Sequence, residues 1–133
     1  MNAALRQRVQ ERAGDQCEYC HLRQEHQPLC KFHVEHIVPR QHGGLDDVEN
    51  LALACFHCNL QKGTNLTGID PESNRTVRLF HPRKDRWPDH FVWQGVELKG
   101  LTAIGRVTGR VLKVNAPRRL ELRATLLKWT RLD

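Results

Sequence analysis

Two Cys-x-x-Cys pairs, Cys17/Cys20 and Cys55/Cys58, constrain this chain more than any other feature. A two-residue gap lets both thiolates of a pair face one tetrahedral ion. Structural zinc, held by all four, is the expected occupant, ahead of disulfide or redox chemistry. Thirty-four residues separate the pairs, more than in a compact zinc ribbon. The ion would therefore clip the turn carrying the first pair onto the far end of a longer folded unit. The second pair opens a helical stretch, where free amide groups stabilise thiolate charge. Cys30 is left over, and its expected place is that of a small buried apolar group.

Five cysteines is an odd number, which disfavours a secreted disulfide scaffold. The opening MNAALRQRVQER lacks the apolar segment of a secretory signal. No apolar run approaches the ~20 residues of a membrane span. The expectation is a cytoplasmic protein without membrane contact. At 133 residues one domain is the default. Apolar residues at 39% and charged residues at 27% of mixed sign exclude a disordered chain.

Charge divides the chain in two. Residues 1–64 carry 7 basic and 8 acidic side chains, a net of −1. Residues 65–133 carry 14 basic and 7 acidic, a net of +7. Four thiolates around one Zn²⁺ would add a further −2 to the first half. The basic second half suits a polyanion, nucleic acid being the commonest. The division proposed is 1–64 as a zinc-clipped core and 65–133 as a basic extension packed on it.

Hydrophobic spacing predicts the elements. Leu5, Val9 and Ala13 step by four, with Gly14 as a stop: an N-terminal helix. Lys31–Val38 is β-branched and aromatic and ends at Pro39: a strand. Gln41–Asn50, with Gly43-Gly44 and Asp46-Asp47, reads as a long turn, Leu51–Ala54 as a second strand, and Cys55 to Gly63 as a short helix. Further on, short strands are expected near Val77–Phe80 and Phe91–Trp93. Ile104, Val107, Val111 and Val114 mark one helix; Leu120, Ala124 and Leu127 mark a last one after Pro117. Arg106, Arg110, Arg118, Arg119 and Arg123 would form the wet faces of these two helices.

Between the cysteine pairs stand Glu35-His36-Ile37-Val38-Pro39-Arg40, then Gly43-Gly44, then Asn50-Leu51, then Cys58-Asn59-Leu60-Gln61-Lys62-Gly63. This order resembles an HNH endonuclease of the zinc-clipped, ββα-metal kind. The resemblance covers Cys17 to Gly63. The stretch after Asp70 is similar to an extension found on many bacterial HNH proteins. Two positions depart from the usual pattern: Glu35 stands where Asp is commoner, and Asn59 where the family name implies His.

The resemblance implies an α+β fold: a ββα-metal core with a four-cysteine zinc clip, an N-terminal helix and an extension ending in two helices. It implies hydrolysis of DNA phosphodiester bonds. His36 would be the general base that activates water. Glu35 and Asn59 would hold one catalytic cation, Mg²⁺ or Mn²⁺, through oxygen. Asn50 would tie down the long turn and so aim His36. Arg40 and Lys62 would bind flanking phosphates. The net charge after residue 64, separately, makes Arg106 and Arg110 expected DNA contacts. Adjacent strand residues point to opposite faces, so Glu35 and His36 would share one site only through a bulge before Pro39. His33, His42 and His57 are expected at the surface; Trp87, Phe91 and Trp93 are expected as core or lid. The alternative reading is a non-catalytic zinc-stapled module that binds nucleic acid or protein. The set Glu35, His36 and Asn59 separates the two, since a pure binding module has no use for it.

Overall fold

The computed structural model describes residues 1–131. Helix α1 (Ala3–Ala13) starts where Asn2 Oδ1 accepts the Leu5 amide at 2.8 Å, and it stops at Gly14, whose φ of 64° suits a residue without Cβ. Its buried residue Val9 faces the core. Its exposed Arg12 donates to the Val48 and Leu51 carbonyls at 2.8 and 2.7 Å, tying the helix to the start of the second strand.

Strands β1 (His33–His36) and β2 (Leu51–Ala54) pair antiparallel, and helix α2 (Phe56–Lys62) follows directly. This is the ββα unit. β1 is shorter than the expected Lys31–Val38 for a local reason. The Phe32 amide donates to Gln24 Oε1 at 2.7 Å and the Val38 amide to Asn50 Oδ1 at 2.8 Å. Side chains thus replace ladder partners at both ends.

The second half adds two more hairpins. β3 (Thr67–Ile69) pairs with β4 (Thr76–Arg78), and β5 (Phe91–Gln94) pairs with β6 (Glu97–Gly100). A one-turn helix, α3 (Trp87–His90), precedes β5. Helix α4 (Ala103–Val111) packs on β3, β4 and β6, and α5 (Pro117–Arg131) follows. α4 ends before Val114 because Lys113 takes a φ of 49°. The strand expected near Val77–Phe80 lies instead over Thr76–Arg78, and β3, α3 and β6 have no counterpart among the expected elements.

One hydrophobic cluster draws on both halves of the chain: Val9, Tyr19, Leu51 and Leu53 with Phe80, Phe91, Val107 and Leu112. Polar contacts cross the same boundary. Trp87 Nε1 donates to the Tyr19 carbonyl at 2.8 Å, and its ring stacks on His21 at 3.8 Å. Arg83 pairs with Glu18, whose other oxygen accepts the Leu53 amide at 2.7 Å. Trp87 and Phe91 thus serve packing, whereas Trp93 is exposed under the Arg123 guanidinium, 5.1 Å from its ring centre. The architecture is α+β, and no helix among the described residues is long and apolar enough to cross a membrane.

Candidate active site and metal centre

The four cysteines converge. Cys17 and Cys20 lie in the turn after α1; Cys55 is the N-cap of α2 and Cys58 lies in its first turn. All four Sγ atoms lie within 4.8 Å of one another and all four residues are buried. Cys20 Sγ and Cys55 Sγ are 3.7 Å apart. Tetrahedral zinc with bonds of about 2.3 Å needs sulfurs about 3.8 Å apart. The amides of Cys20 and Cys58 point at Cys17 Sγ and Cys55 Sγ, at 3.5 and 3.4 Å. Such N–H groups stabilise thiolate charge. The donor set therefore fits a structural zinc ion.

The charge of that cluster has a partner that the sequence does not indicate. Arg119, expected on a wet helix face, is 7% exposed, and its Nη2 lies 3.5 Å from both Cys20 Sγ and Cys55 Sγ. A guanidinium beside four thiolates offsets the negative charge left after zinc binds. Arg123, one turn further on, donates to the Val96 carbonyl at 3.0 Å and also to the Val114 carbonyl.

Glu35 and His36 point to opposite sides of a regular strand. The register from His33↔Ala54 to His36↔Leu51 is unbroken, so no bulge within β1 brings the two side chains to one face. Glu35 turns inward and is 7% exposed. Its Oε1 accepts the Tyr19 hydroxyl, and its Oε2 meets Lys62 Nζ at 2.9 Å. Burial pushes its carboxyl above the usual range, while Lys62 and Tyr19 pull it down. Lys62 is itself 2% exposed and also donates to the His36 and Ile37 carbonyls at 3.1 and 3.0 Å. It is therefore a buried structural cation here, not the phosphate contact expected of it.

His36 is half-buried, and its Nε2 lies 2.6 Å from Asp46 Oδ1. Arg40 Nη2 donates to Asp46 Oδ1 and Oδ2 at 2.8 and 2.9 Å. These partners hold the Asp46 carboxyl well below its ordinary value. Arg40, expected on DNA phosphate, thus first braces Asp46. The sequence pattern hides Asp46, because Asp46-Asp47 in a glycine-containing turn looks like solvated turn chemistry.

Asn50 holds the turn with three bonds. Its Oδ1 accepts the Val38 amide at 2.8 Å, and its Nδ2 donates to the Val38 and Leu45 carbonyls, each at 3.0 Å. Gly44 packs so closely on this loop that a Cβ there would lie 1.6 Å from the Val38 oxygen. Glycine is required at that approach.

Asn59 is half-buried on α2, one turn before Lys62 and so on the same helix face. Its side chain makes no hydrogen bond among the described residues. Glu35 and Asn59 supply the oxygen chemistry a hard cation wants. The carboxylate is, however, already engaged by Lys62 and Tyr19. Among the described residues, the four cysteines are the sole cluster of His, Cys, Asp or Glu able to hold a metal.

Arg106 and Arg110, expected to act together on DNA, sit differently. Arg106 is committed to the fully buried Asp70, at 2.9 and 3.1 Å, and to Glu72 at 2.9 Å. Arg110 is exposed. Cys30 is half-buried, not buried as expected. His57, expected at the surface, is half-buried, with Nε2 at 2.9 Å from the Leu112 carbonyl and 3.0 Å from that of Lys113. His33 and His42 are exposed, as expected.

The structure thus presents a ββα unit with a four-cysteine cluster and a histidine at the end of its first strand. Residues 17–65 match the family model of the HNH endonuclease, and the chain carries an HNH domain over that stretch. The match contains both cysteine pairs, Glu35, His36, Asn50 and Asn59. Comparison with curated proteins and comparison with solved structures gave no match.

Proposed function

We propose that this protein is a metal-dependent endonuclease that hydrolyses DNA phosphodiester bonds. The observation that carries the reading is His36, half-buried within the HNH-matched stretch beside a turn that Asn50 fixes with three hydrogen bonds. An imidazole held there can take a proton from water as the water oxygen attacks phosphorus. Glu35 and Asn59 would hold Mg²⁺ or Mn²⁺, which would supply Lewis-acid polarisation of the phosphate, and this requires Glu35 to leave Lys62 and Tyr19 and turn from its inward face. Asn50 positions; His36 acts. Arg110, with other exposed cations of the extension, meets the DNA backbone. The core 1–64 and the extension 65–133 fold as one unit, with Leu132 and Asp133 lying outside the described residues. The cytoplasm is the compartment in which such a reduced zinc site persists.

A second reading rests on the Glu35–Lys62 pair. An ammonium already neutralises the acidic residue of the motif, which favours a non-catalytic zinc-stapled module that binds nucleic acid. Plasmid cleavage with and without Mg²⁺ or Mn²⁺ separates the two. The proposed enzyme converts supercoiled plasmid only when a divalent cation is added. His36→Ala should lower that rate by ~10²–10⁴-fold, the usual loss with a general base. Zinc content should stay the same, because His36 lies outside the cysteine cluster. A parent protein that binds DNA yet never cuts it would establish the module instead.

A further inference from the structure

The imidazole of His36 has one nitrogen already spoken for, and that fact decides which nitrogen can act. Asp46 Oδ1 lies 2.6 Å from His36 Nε2. The same carboxylate accepts Arg40 Nη2 at both oxygens, at 2.8 and 2.9 Å, and the Met1 amino group lies 3.5 Å from Oδ2. The two Arg40 bonds come from a group that is always charged, and they do not depend on which imidazole nitrogen is protonated. The neighbours of Asp46 keep its carboxyl ionised, well below its ordinary value. An ionised carboxylate accepts hydrogen bonds and donates none. The proton between the two groups must then sit on Nε2.

We infer that Asp46 is a positioning residue for His36: it accepts the Nε2–H bond and leaves Nδ1 as the unprotonated, base-competent nitrogen. The inference rests on the endonuclease reading above. In the reaction, a water O–H bond breaks and its proton moves to Nδ1. The water oxygen bonds to phosphorus, and the P–O3′ bond breaks with its electron pair left on the 3′ oxygen. The resulting imidazolium carries a positive charge facing Asp46, which stabilises it. A buried carboxylate that orients a catalytic histidine works by the same logic in hydrolytic triads. Asp46 differs in being partly exposed, at 35%, with Arg40 holding it from the solvent side.

Arg40 makes the inference testable. In Asp46→Asn, the guanidinium keeps the one remaining oxygen, Oδ1. The amide Nδ2 is then turned toward His36 Nε2. A donor facing Nε2 forces the ring into the Nδ1–H tautomer, which cannot accept a proton from water. Asp46→Glu retains a carboxylate and should retain the parent tautomer.

The test pairs nitrogen NMR of the His36 ring with cleavage kinetics on plasmid in Mg²⁺ or Mn²⁺, for zinc-loaded parent, Asp46→Asn and Asp46→Glu. The expected parent spectrum shows protonated Nε2 and bare Nδ1. Asp46→Asn should switch to protonated Nδ1 and lose ~10²-fold or more in kcat. Its KM should change by less than about threefold, since no DNA contact is removed. Asp46→Glu should keep the tautomer and recover most of kcat. A purely structural Asp46 would lower stability in both variants without switching the tautomer. Parent cleavage matched by Asp46→Asn, or a parent ring protonated at Nδ1, overturns the inference while the endonuclease reading stands. A parent that shows the Nε2–H tautomer and never cuts overturns the endonuclease reading, and the positioning role falls with it.

Discussion

At Lys62 a buried ammonium is held by one carboxylate and two carbonyls, and its stability depends on all of them. Removing one member of a buried ion pair costs about 3–5 kcal/mol, because the other charge is left unmatched. Lys62→Met should therefore destabilise the zinc-loaded protein by about that amount in urea unfolding. Adding Glu35→Gln should recover most of the loss. The pH dependence has a definite sign. Without Lys62 the Glu35 carboxyl rises further above its ordinary 4.5, because burial is the leading effect and an opposing charge is gone. A carboxyl raised on folding favours the protonated form, so the penalty is smallest below about pH 4.5 and grows as pH rises. A penalty independent of pH would show that Glu35 remains charged in the variant. Chemistry-bearing residues were legible in sequence where their type is rare and their spacing meaningful, as for the four cysteines and Asn50. Glu35 and Lys62 were legible as motif letters but not as a buried pair, since charged residues on a short strand and helix ordinarily face water.

Helix α5 shows how an element can be found while its buried face is misread. The spacing of Leu120, Ala124 and Leu127 located the helix, but Ala124 and Leu127 are exposed. Arg119, Leu122, Arg123 and Leu126 lie at helical spacing, i, i+3, i+4 and i+7, and form the covered side. The two arginines turn inward because the thiolates and free carbonyls they meet are there. A hydrophobic pattern cannot report an inward face made partly of guanidinium groups. The short strands escaped for a different reason. Thr67-Gly68-Ile69 is too brief for a period of two, and its Gly68 is fixed by α4: a Cβ there would lie 2.7 Å from Val111 Cγ2. Arg119 carries this element's prediction. Partners that support metal ligands from outside usually contribute 10–100-fold in metal affinity. Arg119→Met keeps the stem but removes the charge beside Cys20 and Cys55. Zinc loss to a competing chelator should then report an affinity lower by about tenfold or more, while Arg118→Met, at an exposed neighbour, should leave it unchanged. Equal zinc retention in both variants would mean that Arg119 only packs.

Across the whole molecule the formal charge is +6, yet much of the basic half is turned to internal use. Arg78 is held by Asp85, Arg83 by Glu18, Arg106 by Asp70 and Glu72, and Arg119 by the cysteine cluster. Arg75, Lys84, Arg86, Lys99, Arg110, Lys113, Arg118 and Lys128 are exposed and form no ion pair among the described residues. On the endonuclease proposal, the electrostatic hold on DNA would come from these and from the also exposed Arg6, Arg8 and Lys31, to the extent that they share one face. Each phosphate neutralised releases counterions, so the logarithm of affinity falls against the logarithm of salt by about 0.9 per contact on duplex DNA. This gives a measurement that counts contacts instead of inferring them from net charge. Arg110→Gln should weaken DNA binding for every sequence tested and reduce the salt slope by about one. Arg106→Gln should leave the slope unchanged, because its guanidinium already has two carboxylate partners, and should instead lower stability by leaving Asp70 buried and unmatched. If both variants reduce the slope equally, Arg106 exchanges Asp70 for phosphate on binding, and the fold of the extension rearranges around DNA.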